Sequence, residues 1–230
     1  MRRQQGHGIG TRRWTCRIGA MSRCHGIGQA RGDHRAARHR SASSTRRQVR
    51  SSPRRSAPWR IFIHPQIPSD ALRDAAYRGI EPLTDLGLAT FGWGWHIEAA
   101  TAALRVIPRG TLDRHPDLQI VLGHWGELLP FWRDRADSLA RLAGLKHRIS
   151  DYLRTNLFLT TSGMLNPALL HHALTVTTTD RLIFSTDSPF QQPTRADIDT
   201  FLAHFASDGD RRKISSTNAA TLFNIDLTAR

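Results

Sequence analysis

The segment 119-QIVLGHWGELLPFWRDR-135 places an imidazole, His124, where an apolar run meets an amphipathic one, with Glu127 about one turn further on. Comparable junctions recur along the chain. His64 closes 60-RIFIHP-65, Thr161 and Ser162 follow the apolar part of 156-NLFLTTSG-163, and Asp187 follows that of 181-RLIFSTDSPF-190. Two histidines and an aspartate at such positions suit a divalent cation, because imidazole nitrogen and carboxylate oxygen both ligate zinc and manganese. Singly, each has an ordinary explanation. A histidine at a strand end can be a hydrogen-bonded loop residue, and Asp187 before Ser-Pro can be a turn former. Their shared placement is what points to a site.

The runs that position these residues read as strands, each followed by a helical pattern. The segment 96-HIEAATAALRVIPRG-110 has helical spacing at Ile97, Ala100, Leu104 and Ile107, with Pro108 and Gly110 closing it. Residues 118–124 form an apolar strand, followed by a helix over 127–143. The strand at 156–163 precedes a helix with Pro167 in its first turn. The strand at 181–190 precedes a helix over 194–205, and 215-SSTNAATLFNI-225 is a short closing helix. Strands apolar on both faces and alternating with helices are parallel βα units, whose ligands gather at the C-terminal strand ends. A full (β/α)8 barrel takes roughly 250 residues. The fold class is therefore α/β, either a small open sheet or about half of a TIM barrel.

Taken together, IFIHP, LDRHPDLQIVLGHWGELLPFWRDRAD, ISDYLRTNLFLTTSGM and DRLIFSTDSPF resemble the amidohydrolase-related (amidohydrolase 2) family of metal-dependent barrel enzymes. Within it they are most similar to the aromatic-acid decarboxylase branch, which includes aminocarboxymuconate-semialdehyde, resorcylate and dihydroxybenzoate decarboxylases. The resemblance runs in order over residues 59–226 and corresponds to the last four barrel units. It implies that His64 and Asp187 ligate a zinc or manganese ion, that His124 is a catalytic acid/base supported by Glu127, and that Asp187 also takes part in proton transfer. The implied reaction is loss of carbon dioxide from a small aromatic carboxylic acid after protonation of a ring carbon. Hydrolysis by a metal-activated water is the alternative within the same family. Trp93, Trp95, Trp125 and Phe190 are candidates for an aromatic pocket wall, with core or interface packing as their more common use.

The family also draws two metal ligands from a His-x-His or Glu-x-His pair on the first barrel strand, and residues 1–60 hold neither pattern. His7, His25, His34 and His39 lie instead in Arg/Gly-rich surroundings. Residues 1–60 carry 16 Arg, no Lys and one acid, whereas the remaining 170 are within one charge of neutral, so the net +14 arises at the N-terminal end. Residues 1–58 are expected to be disordered, preceding an incomplete barrel domain over 59–230. Three readings of this arm compete: a nucleic-acid-binding tail, a transit peptide, and a non-native translation from a truncated or frame-disrupted gene. The last is favoured. With only Trp14 before Trp59, base stacking is unavailable and no specific nucleic-acid partner is expected.

On the truncated reading, the chain is a catalytically impaired fragment that binds metal weakly and pairs through its open sheet edges with a second copy. Cys16, Cys24 and His25 lack a second pair to complete a zinc knuckle. The cysteine-free body suits a reducing cytoplasm, and no apolar run is long enough to span a membrane.

Overall fold

The computed structural model describes residues 59–228. The expectations for the Arg-rich arm, its histidines and both cysteines lie outside the described residues. Four strands, β1 (Arg60–Ile63), β2 (Gln119–Leu122), β3 (Leu157–Thr160) and β4 (Leu182–Ile183), lie side by side in chain order. All three pairings are parallel, with Phe62 opposite Val121, Val121 opposite Phe158, and Thr160 opposite Ile183. Parallel neighbours require a crossover, and helices supply each one. Between β1 and β2 come α1 (Asp70–Ala76), α2 (Pro82–Ala89), α3 (Gly94–Val106) and α4 (Thr111–Arg114). Between β2 and β3 lie α5 (Leu129–Ala136), α6 (Ser138–Leu142) and α7 (Ile149–Asn156), and α8 (Pro167–Val176) joins β3 to β4. The chain closes with α9 (Arg195–Leu202), α10 (Asp208–Arg212), a π turn at Lys213–Thr217 and α11 (Asn218–Phe223).

Helix starts follow from local chemistry. Ser69, Asn166 and Thr194 cap α1, α8 and α9 through side-chain oxygens that accept backbone N–H groups, and Pro167 occupies the first turn of α8. The expected helix over 127–143 is two helices, α5 and α6. The Asp137 carboxylate at their junction accepts from Ser150 N at 2.7 Å and Ser150 Oγ at 2.8 Å, which ties the bend to the start of α7. The expected strand at 181–190 is short as a ladder, but its pairing with the β3 segment continues. Gly163 N donates to Ser185 O, and Thr161 Oγ1 both donates to Ser185 O and accepts from Ser185 N.

The two faces of the sheet are covered differently. Ile120, Leu122, Leu157, Leu159 and Leu182 pack against the crossover helices in the main core, with Ile107, Ile149, Leu170 and Phe201. Val121, Phe158 and Ile183 form a second cluster on the opposite face, closed by Leu222 of α11. β1 departs from the expectation of burial on both faces: Ile61 and Phe62 are exposed, and Phe62 stacks on Phe223 with ring centroids 5.3 Å apart. Among the described residues no helix is long and apolar enough to cross a membrane.

Two buried asparagines fix the strand register. Asn156 Nδ2 donates to Pro116 O and Leu118 O, both at 2.9 Å, and so joins the start of β3 to the entry of β2. Asn218 Nδ2 does the same for Thr179 O at 2.7 Å and Leu182 O at 2.8 Å. Replacing Asn156 with Ala strands the buried Leu118 carbonyl and removes the part-buried bond to the Pro116 carbonyl, so Asn156→Ala is expected to lower unfolding free energy by about 2–3 kcal/mol in urea titrations. The exposed Phe131→Ala serves as a control and should stay within about 0.5 kcal/mol.

Candidate active site

Because all four strands run the same way, the residues following them share one edge of the sheet. His64 follows β1, His124 follows β2 after Gly123, Thr161 and Ser162 follow β3, and Asp187 lies four residues beyond β4. The chain leaving β2 turns in an unusual way. His124, Trp125, Gly126, Glu127 and Leu128 all have positive φ, from 44° at His124 to 87° at Gly126. A left-handed conformation costs a residue with a Cβ roughly 1–2 kcal/mol, so the four such residues in this five-residue run must be held by their surroundings.

Several contacts hold them. Gly126 N donates to Gly123 O at 2.7 Å and Glu127 N to His124 O at 3.2 Å, closing the turn on itself. Trp125 is buried edge-on against Phe201, and its indole N–H donates to Met164 O at 2.8 Å. A Cβ on Gly126 would lie 2.8 Å from Pro130 Cγ and 3.0 Å from Leu159 Cδ2, so only glycine fits between α5 and β3.

This turn aims the Glu127 side chain inward, where it has no solvent exposure. Its carboxylate receives two imidazoles. His124 Nδ1 lies 2.6 Å from Oε1, and His96 Nδ1, from the first turn of α3, lies 2.7 Å from Oε2. The two rings meet edge to face with centroids 4.6 Å apart. Burial pushes the Glu127 carboxyl up, but the hydrogen bonds and charges of His124 and His96 outweigh it and hold the group below its ordinary value of 4.5. Burial likewise pushes the His96 imidazole down. Its bond to Glu127 and that carboxylate's charge, helped by the Phe91 carbonyl and the charge of Asp187, leave it above its ordinary 6.5.

Glu127 is therefore an ionised acceptor, and both histidines present Nδ1–H to it. For His124 this fixes the tautomer and leaves Nε2 as the atom that can accept or give a proton.

His96, His124 and Glu127 are the group of three or more potential metal donors that comes together among the described residues. Both carboxylate oxygens are already bound to imidazole N–H groups, so the cluster is organised as a hydrogen-bonded triad. His64 stands apart from it. It is exposed, and its Nδ1 donates to Pro65 O at 2.8 Å, which leaves Nε2 with a free lone pair, the arrangement of a ligating imidazole. Asp187 is half-buried with φ 62°, its carbonyl accepts from Phe190 N and Gln191 N, and its charge reaches His96. Its carboxylate makes no hydrogen bond or ion pair among the described residues.

Of the residues singled out from sequence, the structure joins His124 and Glu127 directly and brings Asp187 within electrostatic reach. Thr161 is buried in the β3–β4 connection and Ser162 Oγ pairs with Thr160 Oγ1 at 2.6 Å, so both brace the edge. Trp125 is core and Phe190 is largely exposed, whereas Trp95 reaches the triad by donating its indole N–H to His96 Nε2 at 3.2 Å. His96 itself is absent from the sequence-based set. Its signal was present as the first residue of the amphipathic run after Trp-Gly-Trp, but it lies at the start of a helix and at no strand end.

The profile of a family described as amidohydrolase matches residues 35–225. A gamma-resorcylate decarboxylase of Rhizobium sp. (strain MTP-10005) is 40% identical over 140 residues, covering 58% of this chain and 42% of that protein. The crystal structure of 5-carboxyvanillate decarboxylase from Sphingomonas paucimobilis superposes with a TM-score of 0.62 at 35% identity, over 72% of this chain and 49% of that one. A dihydroxybenzoic acid decarboxylase from Polaromonas sp. JS666, with bound manganese and the inhibitor 2-nitroresorcinol, gives a TM-score of 0.58 at 33% identity, over 71% and 49% of the two chains. The chain spans about half the length of the curated relatives it matches, between 42% and 51%. The four-stranded parallel sheet is accordingly part of a TIM barrel.

The pKa directions give the triad a stability window. The lowered Glu127 pKa contributes stability that is full above 4.5 and is lost as pH falls through the folded-state value. The raised His96 pKa contributes stability that is full below 6.5 and is lost as pH rises through its folded-state value. The stability gap between the native chain and Glu127→Gln should therefore be widest between pH 4.5 and 6.5 and narrow on either side. Urea midpoints across pH 4–9 measure it, with about 1.5–3 kcal/mol expected per lost charged hydrogen bond.

Proposed function

The chain belongs to the amidohydrolase family, in its aromatic-acid decarboxylase branch, and from that premise we propose that it acts as a metal-dependent carboxy-lyase on a small aromatic carboxylic acid. One observation carries this reading: Glu127, buried and ionised, clamps the Nδ1–H of His124 and leaves its Nε2 free at the edge where ligands of parallel α/β folds bind.

His64 and Asp187 are the metal ligands of this proposal. Two donors of the set are available: the His64 Nδ1–H is engaged by a carbonyl, which leaves its Nε2 lone pair free, and the Asp187 carboxylate carries no competing ion pair among the described residues. Manganese, present in the Polaromonas structure, and zinc both suit an imidazole–carboxylate pair. When bound, the cation supplies positive charge to anchor an acidic substrate and stabilise negative charge developing on its oxygens.

The chain's own residues do the proton chemistry. His124 holds a proton at Nε2 and delivers it to the ring carbon that bears the carboxylate. The carbon–carbon bond then breaks, its electron pair restores the aromatic ring and carbon dioxide leaves; the delivered proton stays as the new ring hydrogen, and Nε2 takes its next proton from solvent. Glu127 stabilises the imidazolium in the charged half of this cycle, and Asp187 assists proton transfer. The reaction is local to the strand-end edge, and a soluble cytoplasmic location and pairing with a second copy accord with it.

The test is incubation of the purified chain with manganese or zinc and 2,6-dihydroxybenzoate or 5-carboxyvanillate, reading carbon dioxide release and bound metal together. Release is expected with both His64 and Asp187 intact, and His124→Asn should lower it by about 10²–10⁴-fold at unchanged metal content. His64→Ala should lower the metal content itself. A metal-loaded chain that releases no carbon dioxide from either acid would overturn the carboxy-lyase reading, and a chain that takes up no metal would identify it as an impaired member of the family.

A further inference from the structure

His96 contributes to the triad in a way that neither the strand-end pattern nor the comparisons assign. The Glu127 carboxylate has two oxygens and no contact with solvent, so each oxygen needs its own donor inside the protein. His124 supplies one and His96 the other, at 2.6 Å and 2.7 Å. Without the second donor, burial would act on a carboxylate with half its partners, and the neutral acid would gain ground.

The surroundings of His96 hold its ring in either protonation state. Its Nε2 is 3.2 Å from the Trp95 indole nitrogen, which can only donate, and 3.0 Å from the Phe91 carbonyl, which can only accept. A neutral ring with Nδ1–H accepts from Trp95, and a protonated ring donates to Phe91. Nδ1 remains a donor to Glu127 in both cases. The charged and titratable groups facing His96 are Glu127 and His124 from the turn after β2 and Asp187 from the loop after β4.

We propose that His96 is a positioning residue which, by donating its Nδ1–H to the second oxygen of Glu127, keeps that buried carboxylate ionised and immobile and thereby holds His124 as the tautomer with a free Nε2. This rests on the reading of His124 as the proton-handling group. Its consequence is a division of labour within one triad: His124 faces the substrate, Glu127 orients it, and His96 maintains the charge state of Glu127.

Two substitutions separate the roles of donor and charge. His96→Asn keeps an N–H close to the position of Nδ1 but cannot be protonated, and His96→Leu removes the donor. Carboxyl ¹³C resonances of the full-length chain, followed from pH 3 to pH 8, report the Glu127 titration without reference to activity. His96→Leu should raise the Glu127 midpoint by at least about one pH unit, a tenfold change in protonation equilibrium, and His96→Asn should keep most of the native value.

In carbon dioxide release, the acid limb of kcat/KM should move upward in His96→Leu with the loss in kcat rather than KM, and His96→Asn should restore it. If His96→Leu does not fold, a His96→Asn chain whose Glu127 midpoint has risen as far as one unit rejects the donor role. An unchanged Glu127 midpoint in His96→Leu overturns the proposal even if the chain is an active decarboxylase. A raised midpoint in a chain that releases no carbon dioxide would uphold the coupling and fail the carboxy-lyase reading alone.

Discussion

A carboxylate without solvent contact between two imidazoles is the interaction on which this site depends. An isolated buried carboxylate would take up a proton, and its two hydrogen bonds are what reverse that tendency at Glu127. Ionised Glu127 can only accept, so its neighbours must present N–H, and the free atom of His124 is thereby decided. The chemistry available at the strand edge follows from that assignment.

The backbone is shaped to make this possible. Glu127 can turn back beneath His124 only because residues 124–128 wind left-handed, against the preference of four residues that carry a Cβ. The indole bond from Trp125 to Met164, the packing of Trp125 on Phe201 and the narrow seat of Gly126 against Pro130 and Leu159 offset that strain. The core is therefore what allows the loop. Strain of this kind persists where the surroundings over-determine the conformation, and such places cluster at functional sites.

Sequence patterning revealed the parallel βα order and the strand-end placement of His64, His124 and Asp187, because both depend on periodicity and on the direction of the chain. The role of Glu127 came only through resemblance to a family. Its burial depends on the left-handed turn, and neither Trp125 nor Leu128 is a residue type that announces positive φ. His96 was not legible for a different reason. Its partner is 31 positions away, and the contact exists only once α3 packs beside the end of β2. The breaks in the expected elements have the same origin, since the Asp137 carboxylate at the bend bonds to Ser150, and Phe184 N, just past β4, donates to Ile214 O, both partners distant in sequence.

The residues at the edge are not equally constrained, and the difference corresponds to the chemistry assigned to them. His124 is locked through Glu127 to α3 and through the turn to the core, so its free nitrogen has little freedom of position. His64 is tied only to the carbonyl of its own neighbour, and the Asp187 side chain is positioned by a local turn. A proton-transfer group gains from a fixed geometry, because misplacement by a fraction of a bond length removes its advantage. Groups that close on a cation can adjust, since coordination itself supplies the force that orders them. On the proposed assignment, the rigid, proton-handling half of the site follows the inner strand β2, and the adaptable, cation-holding half follows β1 and β4 at the two ends of the four-stranded order.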